Sequence, residues 1–387
     1  MARILYVSQS YSTHDRRFLE LLAQLEDEAW FLPCESGGNQ AEIGPVPKRI
    51  HKLPPLTQKN CAPFRCSWVR AAVRFCRLVR TLKPDLVHAG PVQTGGFFAA
   101  LAGVHPFLIT SWGSDVLSLA ESSFLMKSLT KFALRRADMA LGDCEVVRER
   151  ISALSSLSPE EIICFPWGIT EGGSRLPRPP LDFRKSLDWE ECKVIVSARS
   201  LEQIHGTMNF VRAMEQILHR RADIRVLMLG DGNLMGEVTE FVRSHRISDK
   251  FHFAGHVPEG RVRDYLAEAD IYVSATPCDG TSISLLQAMG CGLPVVVADA
   301  GGNREWVREG ENGWLYSPGD LPALVAAIST ALENSALWSA MGRANINSVK
   351  ARANWEQNSR QLLLAYDRLL RLATAKEAEA NAEFQNR

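Results

Sequence analysis

The chain has 387 residues, which suggests two or three domains at roughly 100–200 residues each. Hydrophobic residues are 46% and charged residues 23%, with 44 Lys+Arg against 44 Asp+Glu. That balance argues against a disordered chain, which lacks apolar residues, and against a general nucleic-acid binder, whose domain is strongly basic. The zero net charge averages over an asymmetry: between Lys48 and Lys83 ten side chains are Lys or Arg and none is acidic.

In chain order, the first element is an apolar strand over 4–7, in place of a charged leader followed by an apolar core. Further strands are expected over 86–89, 107–111, 139–141 and 162–165, separated by helical patterns. The rhythm restarts with strands over 194–197, 225–229, 251–254, 271–274 and 295–298. Near-continuous apolar strands alternating with helices indicate parallel sheets covered on both faces. Two such runs make an α/β chain with two Rossmann-like, doubly wound domains. The boundary is read in 168–180, where Gly172, Gly173, Pro177, Pro179 and Pro180 favour a linker. The expected domains are 1–175 and 188–355. A C-terminal helix over 356–387 packs back on the first domain and ends in a polar tail from Thr374.

No run reaches about 18 apolar residues, since His105 and Pro106 interrupt 95–110, so no transmembrane helix is expected. Nine cysteines without a Cys-x-x-Cys spacing read as buried reduced thiols, with Cys76, Cys164 and Cys192 inside apolar stretches. The expected location is cytoplasmic.

Residues 65–82 read as a helix with Arg70, Arg74 and Arg77 at i, i+4 and i+7, sharing one face. That face is either the solvated side of a packing helix or a peripheral contact with an anionic membrane at its inner surface.

Ligands of doubly wound domains bind beyond the carboxyl ends of the strands. After 194–197 comes Arg199, a cation near a helix start, and then His205-Gly206. After 225–229 comes Gly230-Asp231-Gly232, whose third glycine, Gly236, falls one position late for a dinucleotide fingerprint. After 271–274 comes Asp279-Gly280-Thr281-Ser282-Ile283-Ser284, a turn and cap that open a helix carrying Gln287 and ending at Gly292-Leu293-Pro294. Gly301-Gly302 forms another glycine turn one strand later.

This set resembles the retaining glycosyltransferases of family 4, which carry a Glu-x7-Glu element; here Asp279 and Gln287 fill that frame. Gly230-Asp231-Gly232, Phe253-Ala254-Gly255 and Glu311-Asn312-Gly313-Trp314-Leu315 also match, as do Val87-His88-Ala89 and 110–115 more loosely. The resemblance implies the GT-B architecture, with two Rossmann-like domains facing a central cleft, the acceptor on the first and a nucleotide-diphosphate sugar on the second. It implies that Asp279 contacts donor-sugar hydroxyls, with Gly280, Thr281, Ser282, Ile283 and Ser284 lining sugar and diphosphate. Gln287 takes the place of the ribose-binding Glu, Arg199 that of the diphosphate arginine, and His205 that of a lysine. Gly230 and Gly255 belong to the donor turns. Trp112 stands where many members have a histidine near the reacting sugar. His14, His88 and Asp115 are acceptor-side candidates or else packed and capping residues. The implied reaction needs no metal or cofactor beyond the nucleotide sugar, and its acceptor is a saccharide or lipid-linked. A non-catalytic GT-B protein that binds a nucleotide sugar or a partner is the second class, motivated by Gln287 and His205.

Overall fold

The computed structural model describes residues 1–37, 43–58, 65–169 and 182–385. It divides into two units, Met1–Phe165 with Gln357–Arg387, and Pro166–Glu356. The linker expected at 168–180 falls, from residue 170 on, outside the described residues.

The first unit is built on a seven-stranded sheet in the order β3-β2-β1-β4-β5-β6-β7, with every pairing parallel. Its strands are β1 (Arg3–Ser8), β2 (Glu28–Pro33), β3 (Ile50–Lys52), β4 (Leu86–Ala89), β5 (Phe107–Thr110), β6 (Met139–Gly142) and β7 (Ile162–Cys164). β4, β5 and β6 are buried at every position, which is why they read as near-continuous apolar runs, with His88 and Thr110 as the polar exceptions. β2 and β3 were not expected: β2 opens on Glu28 and closes on Pro33, and β3 has three residues, two of them exposed.

The helices of six residues or more in this part are α1 (Thr13–Leu22), α2 (Cys66–Leu82), α3 (Phe97–Ala102), α4 (Phe124–Leu134) and α5 (Glu145–Leu154). α1 starts in a capping box, with the Ser12 hydroxyl accepting from Asp15 N and an Asp15 carboxylate oxygen accepting from Ser12 N at 2.8 Å. The same carboxylate accepts from the Tyr6 hydroxyl at 2.9 Å, and burial pushes its pKa up. α2 buries Trp68, Ala71, Ala72, Phe75 and Val79 against the sheet, a spacing that follows the helical period.

The second unit has a six-stranded, all-parallel sheet in the order β10-β9-β8-β11-β12-β13. Its strands are β8 (Lys193–Ala198), β9 (Ile224–Leu229), β10 (Phe251–Gly255), β11 (Ile271–Ser274), β12 (Val295–Ala298) and β13 (Gly313–Tyr316). The edge strand β13, which opens on Gly313, was not expected. The helices are α6 (Thr207–Leu218), α7 (Met235–Ser244), α8 (Glu259–Leu266), α9 (Ile283–Gly290), α10 (Leu321–Glu333) and α11 (Trp338–Arg352).

The last helix, α12 (Arg360–Gln385), belongs to the first unit. The Tyr366 hydroxyl meets His88 Nδ1 on β4 at 2.6 Å, and Arg368 Nη1 donates to Glu160 O at 2.9 Å. The polar tail expected from Thr374 instead continues as helix to Gln385. One further expectation needs adjustment. No disulfide joins the eight described cysteines to one another, but Cys76, Cys164 and Cys192 are half-buried, whereas Cys34 and Cys144 are buried. Among the described residues no helix is long and apolar enough to cross a membrane.

Candidate functional site

In the second unit the strand order reverses between β8 and β11, and a doubly wound sheet opens a crevice at that point. Arg199 leaves the carboxyl end of β8, and the segment from Thr276 to Ser284 leaves that of β11. The two meet. Arg199 Nη2 donates to Asp279 Oδ2 at 2.7 Å, and Nη1 donates to the Ser282 hydroxyl at 2.6 Å. The ion-pair side chains are only 14% and 21% exposed, so water screens them little. Arg199 Nε is buried and makes no hydrogen bond among the described residues.

Arg199 Nη2 also lies 2.8 Å from His205 Nδ1. A guanidinium only donates, so Nδ1 must be the lone-pair nitrogen and the ring proton sits on Nε2. Burial, followed by the Arg199 charge, pushes the His205 pKa down to about 3. His205 is therefore a neutral donor through Nε2–H. Gly206, at φ +66°, lets this loop lie on the end of β11, for a Cβ there would come within 2.1 Å of Ala275 O.

Ser282 caps α9, its hydroxyl accepting from Leu285 N, and the helix-start amides carry the positive end of its dipole. Gly280, Thr281 and Ser282 are buried. Ile283 and Ser284 are half-buried, with the Ser284 hydroxyl 2.8 Å from that of the buried Tyr272. Gln287 is half-buried on α9, and its amide has no hydrogen bond among the described residues.

Gly230 acts through backbone. A Cβ there would stand 2.4 Å from Arg199 O, and its N–H donates to Gly255 O at 2.8 Å. The two glycines thus support the Arg199 loop from the β9–β10 side. Gly302 N donates to Asp279 O at 3.2 Å and holds the Asp279 turn from the β12 side. The sequence marked the Gly301-Gly302 turn but not this contact. It gave no signal for Tyr272 beneath Ser284.

In the first unit the acceptor-side candidates separate. His88 is 0% exposed, bonded to Tyr366 and to the Thr110 hydroxyl, and burial pushes its pKa down to about 3. Both ring nitrogens are thus satisfied inside the first unit's core. Asp115 is buried and saturated: it accepts from Val92 N, Ser111 Oγ, Trp112 N and Val116 N at 2.6–3.1 Å. Its carboxylate ties the turn after β5 to the Val92 amide, and burial raises its pKa. His14 and Trp112 do come together, with ring centroids 5.4 Å apart and both half-buried, beyond the ends of β1 and β5.

Two family models match the chain, "glycosyl transferases group 1" over residues 192–334 and "glycosyl transferase 4-like" over 3–141. Over 181 residues the chain is 26% identical to the phosphatidylinositol N-acetylglucosaminyltransferase GPI3 subunit of Saccharomyces cerevisiae, 47% of this chain and 40% of that one. Over 364 residues it is 22% identical to the sulfoquinovosyl transferase SQD2 of Arabidopsis thaliana, 88% of this chain and 66% of that one. The match thus spans less than two thirds of either relative. Among solved structures, Anabaena HepE in complex with UDP-glucose superposes with a TM-score of 0.78 at 17% identity, covering 95% of this chain and 100% of that one. With both sheets doubly wound and both models matched, the chain belongs to the group 1, family 4-like glycosyltransferases of GT-B fold.

Proposed function

We propose that the chain is a retaining glycosyltransferase that moves a sugar from a nucleotide-diphosphate sugar to a hydroxyl of a saccharide or lipid-linked acceptor. The observation that carries this reading is the Arg199–Asp279–Ser282–His205 cluster at the β8/β11 switch point. A largely buried cation beside helix-start amides suits a leaving diphosphate. In the step, the bond from sugar C1 to the diphosphate oxygen breaks and its electron pair stays on that oxygen. The acceptor oxygen bonds C1 on the same face, and its proton passes to the diphosphate. Arg199 and the α9 amides stabilise the developing charge, and no metal enters. His205 donates Nε2–H to a diphosphate oxygen. Asp279 Oδ1, with no partner among the described residues, accepts from a sugar hydroxyl, while Gln287 binds the ribose diol by neutral hydrogen bonds. Uridine diphosphate is the first nucleotide to try, since HepE of similar fold was solved with UDP-glucose. The lack of a disulfide among the described cysteines fits a reducing, cytoplasmic setting.

The test is a panel of nucleotide sugars, including UDP-glucose and UDP-N-acetylglucosamine, with envelope lipid and saccharide extracts as acceptors. Nucleotide release and product anomeric configuration are read by NMR. Release with retained configuration is expected. Nucleotide binding without transfer or hydrolysis of any donor would place the chain with non-catalytic binders, the reading that Gln287 and neutral His205 favour.

The histidine makes a separate expectation. UDP affinity of wild type and His205→Gln, titrated calorimetrically from pH 5.5 to 8, should keep a constant ratio within about twofold, because a neutral imidazole has no charge to gain there. A ratio widening roughly tenfold toward pH 5.5 would mean that an imidazolium grips the diphosphate.

A further inference from the structure

The strand order of the first sheet reverses between β1 and β4, so that unit has its own crevice beyond their carboxyl ends. Three turns reach it: residues 9–12 after β1, 90–96 after β4 and 111–115 after β5. Amides at such strand ends ordinarily serve anions. Here the chain's own carboxylates take them. Asp15 accepts from Ser12 N at 2.8 Å and from the Tyr6 hydroxyl at 2.9 Å. Asp115 joins two of the turns, accepting from Val92 N at 3.1 Å, Trp112 N at 3.1 Å and Val116 N at 3.0 Å. Gly113 N donates to the Ser111 hydroxyl at 3.1 Å. Each carboxylate accepts three or more hydrogen bonds, which favours the ionised form against the opposing pull of burial. Among the α1 cations, Arg16 is engaged by Glu20 and Ile43 O, and Arg17 is buried. An incoming phosphate or carboxylate would meet like charge at the start of α1 and behind Trp112, with these amides already occupied.

What the crevice offers instead is aromatic. The Trp112 indole lies against backbone, since a Cβ on Gly90 would come within 3.2 Å of its Nε1. Phe18 packs at right angles to the indole with centroids 6.2 Å apart, and His14 stands 5.4 Å away at a tilt of 46°. Trp112 and His14 both stay half-buried, so each keeps surface for a ligand. We propose that this crevice holds the acceptor as an uncharged sugar ring, its apolar face on Trp112 and a hydroxyl at His14, and rejects rings bearing phosphate or carboxylate. A pyranose carries C–H groups on its faces and hydroxyls around its rim, so an indole beside an imidazole matches both. Calling that ring an acceptor rests on the transferase reading above, to which the crevice adds the chemical class.

The test is a saturation-transfer NMR titration of the full chain, without donor, comparing methyl glucoside and methyl N-acetylglucosaminide with glucose phosphate and glucuronate. The neutral pair should bind about threefold or more tightly than the charged pair. Trp112→Ala should weaken the neutral rings about threefold or more, the worth of one aromatic contact, while Trp112→Phe keeps most of the affinity. Asp15→Asn keeps an acceptor in the capping box but removes its charge. Glucose phosphate should then gain about twofold or more, and methyl glucoside nothing. Melting temperatures check folding, and if Trp112→Ala does not fold, His14→Ala should still cost the neutral rings about twofold. Equal or tighter binding of the charged rings overturns the proposal. So does full neutral-ring affinity in folded Trp112→Ala, or no detectable binding of either class. Neutral rings that bind through Trp112 in a chain that transfers no sugar would support this subsite and overturn the transferase reading instead.

Discussion

Arg199→Ala is expected to lower kcat/KM on the nucleotide-sugar donor by about 10²- to 10³-fold, the range measured when one preorganised electrostatic donor is removed from a developing anion. Two effects add here. The guanidinium is lost from beside the leaving diphosphate, and Asp279, whose Oδ2 it held at 2.7 Å, is left as an uncompensated charge that repels the same phosphates. Donor affinity should therefore fall together with turnover. Arg199→Lys keeps the charge but not the fork. One ammonium cannot reach the Ser282 hydroxyl, Asp279 Oδ2 and His205 Nδ1 in the geometry a planar guanidinium spans, so activity should recover only partly. His205 should then lose its fixed tautomer, and UDP affinity in Arg199→Lys should become pH-dependent. Steady-state kinetics with urea unfolding of each variant separate chemistry from stability. Arg199→Ala retaining more than about a tenth of wild-type kcat/KM would sink the assignment of the cluster as the electrostatic centre.

The sequence located the loops of this site better than the roles within them. The strand ends were legible because β4–β6, β8, β11 and β12 are buried on both faces and read as apolar runs. β3 was not, because it is a three-residue edge strand with two exposed positions, whereas β13 is four residues long and opens on Gly313 although three of its positions are buried. Arg199 and Asp279 could each be placed after a strand. Their direct pairing across 80 positions could not, since it depends on β8 and β11 being neighbours. His205 inherited the position of a lysine, but the Arg199 donor makes the ring an acceptor at Nδ1 and hence neutral. His88 shows the same limit from the other side. A histidine on a strand is chemically suggestive, and only the Tyr366 partner, 278 residues away, reveals it as a core residue. Gly230 was expected against the donor, whereas its missing Cβ makes room for the Arg199 carbonyl.

Asn345→Ala should be the most destabilising polar truncation in the second unit, by about 3–5 kcal/mol, because three buried groups lose partners at about 1–3 kcal/mol each. Asn345 on α11 is 0% exposed. Its Nδ2 donates to Leu293 O at 2.7 Å and Asn312 O at 2.9 Å, while Oδ1 accepts from Asn312 Nδ2 at 2.9 Å. Asn312 in turn accepts from Arg308 N at 2.7 Å and donates to Trp306 O at 2.8 Å. One side chain therefore joins α11 to the turns that precede β12 and β13. Solvent has no easy way in: a Cβ on Gly342, one turn earlier in α11, would come within 2.2 Å of Gly292 O. Asn345→Leu fills the volume but restores no hydrogen bond, so it should lose about as much as alanine, which separates polar satisfaction from cavity formation. Urea titrations followed by tryptophan fluorescence give the comparison, and a loss below about 1 kcal/mol in Asn345→Ala would refute the network's importance. The consequence extends to chemistry. β12 runs on to Gly301-Gly302, and Gly302 N holds Asp279 O at 3.2 Å. Loosening the start of β12 should therefore loosen Asp279 at its far end. In conditions where Asn345→Ala remains folded, its donor affinity should fall more than its melting temperature alone explains, because the Arg199–Asp279 pair is then held by β8 and β11 without support from β12.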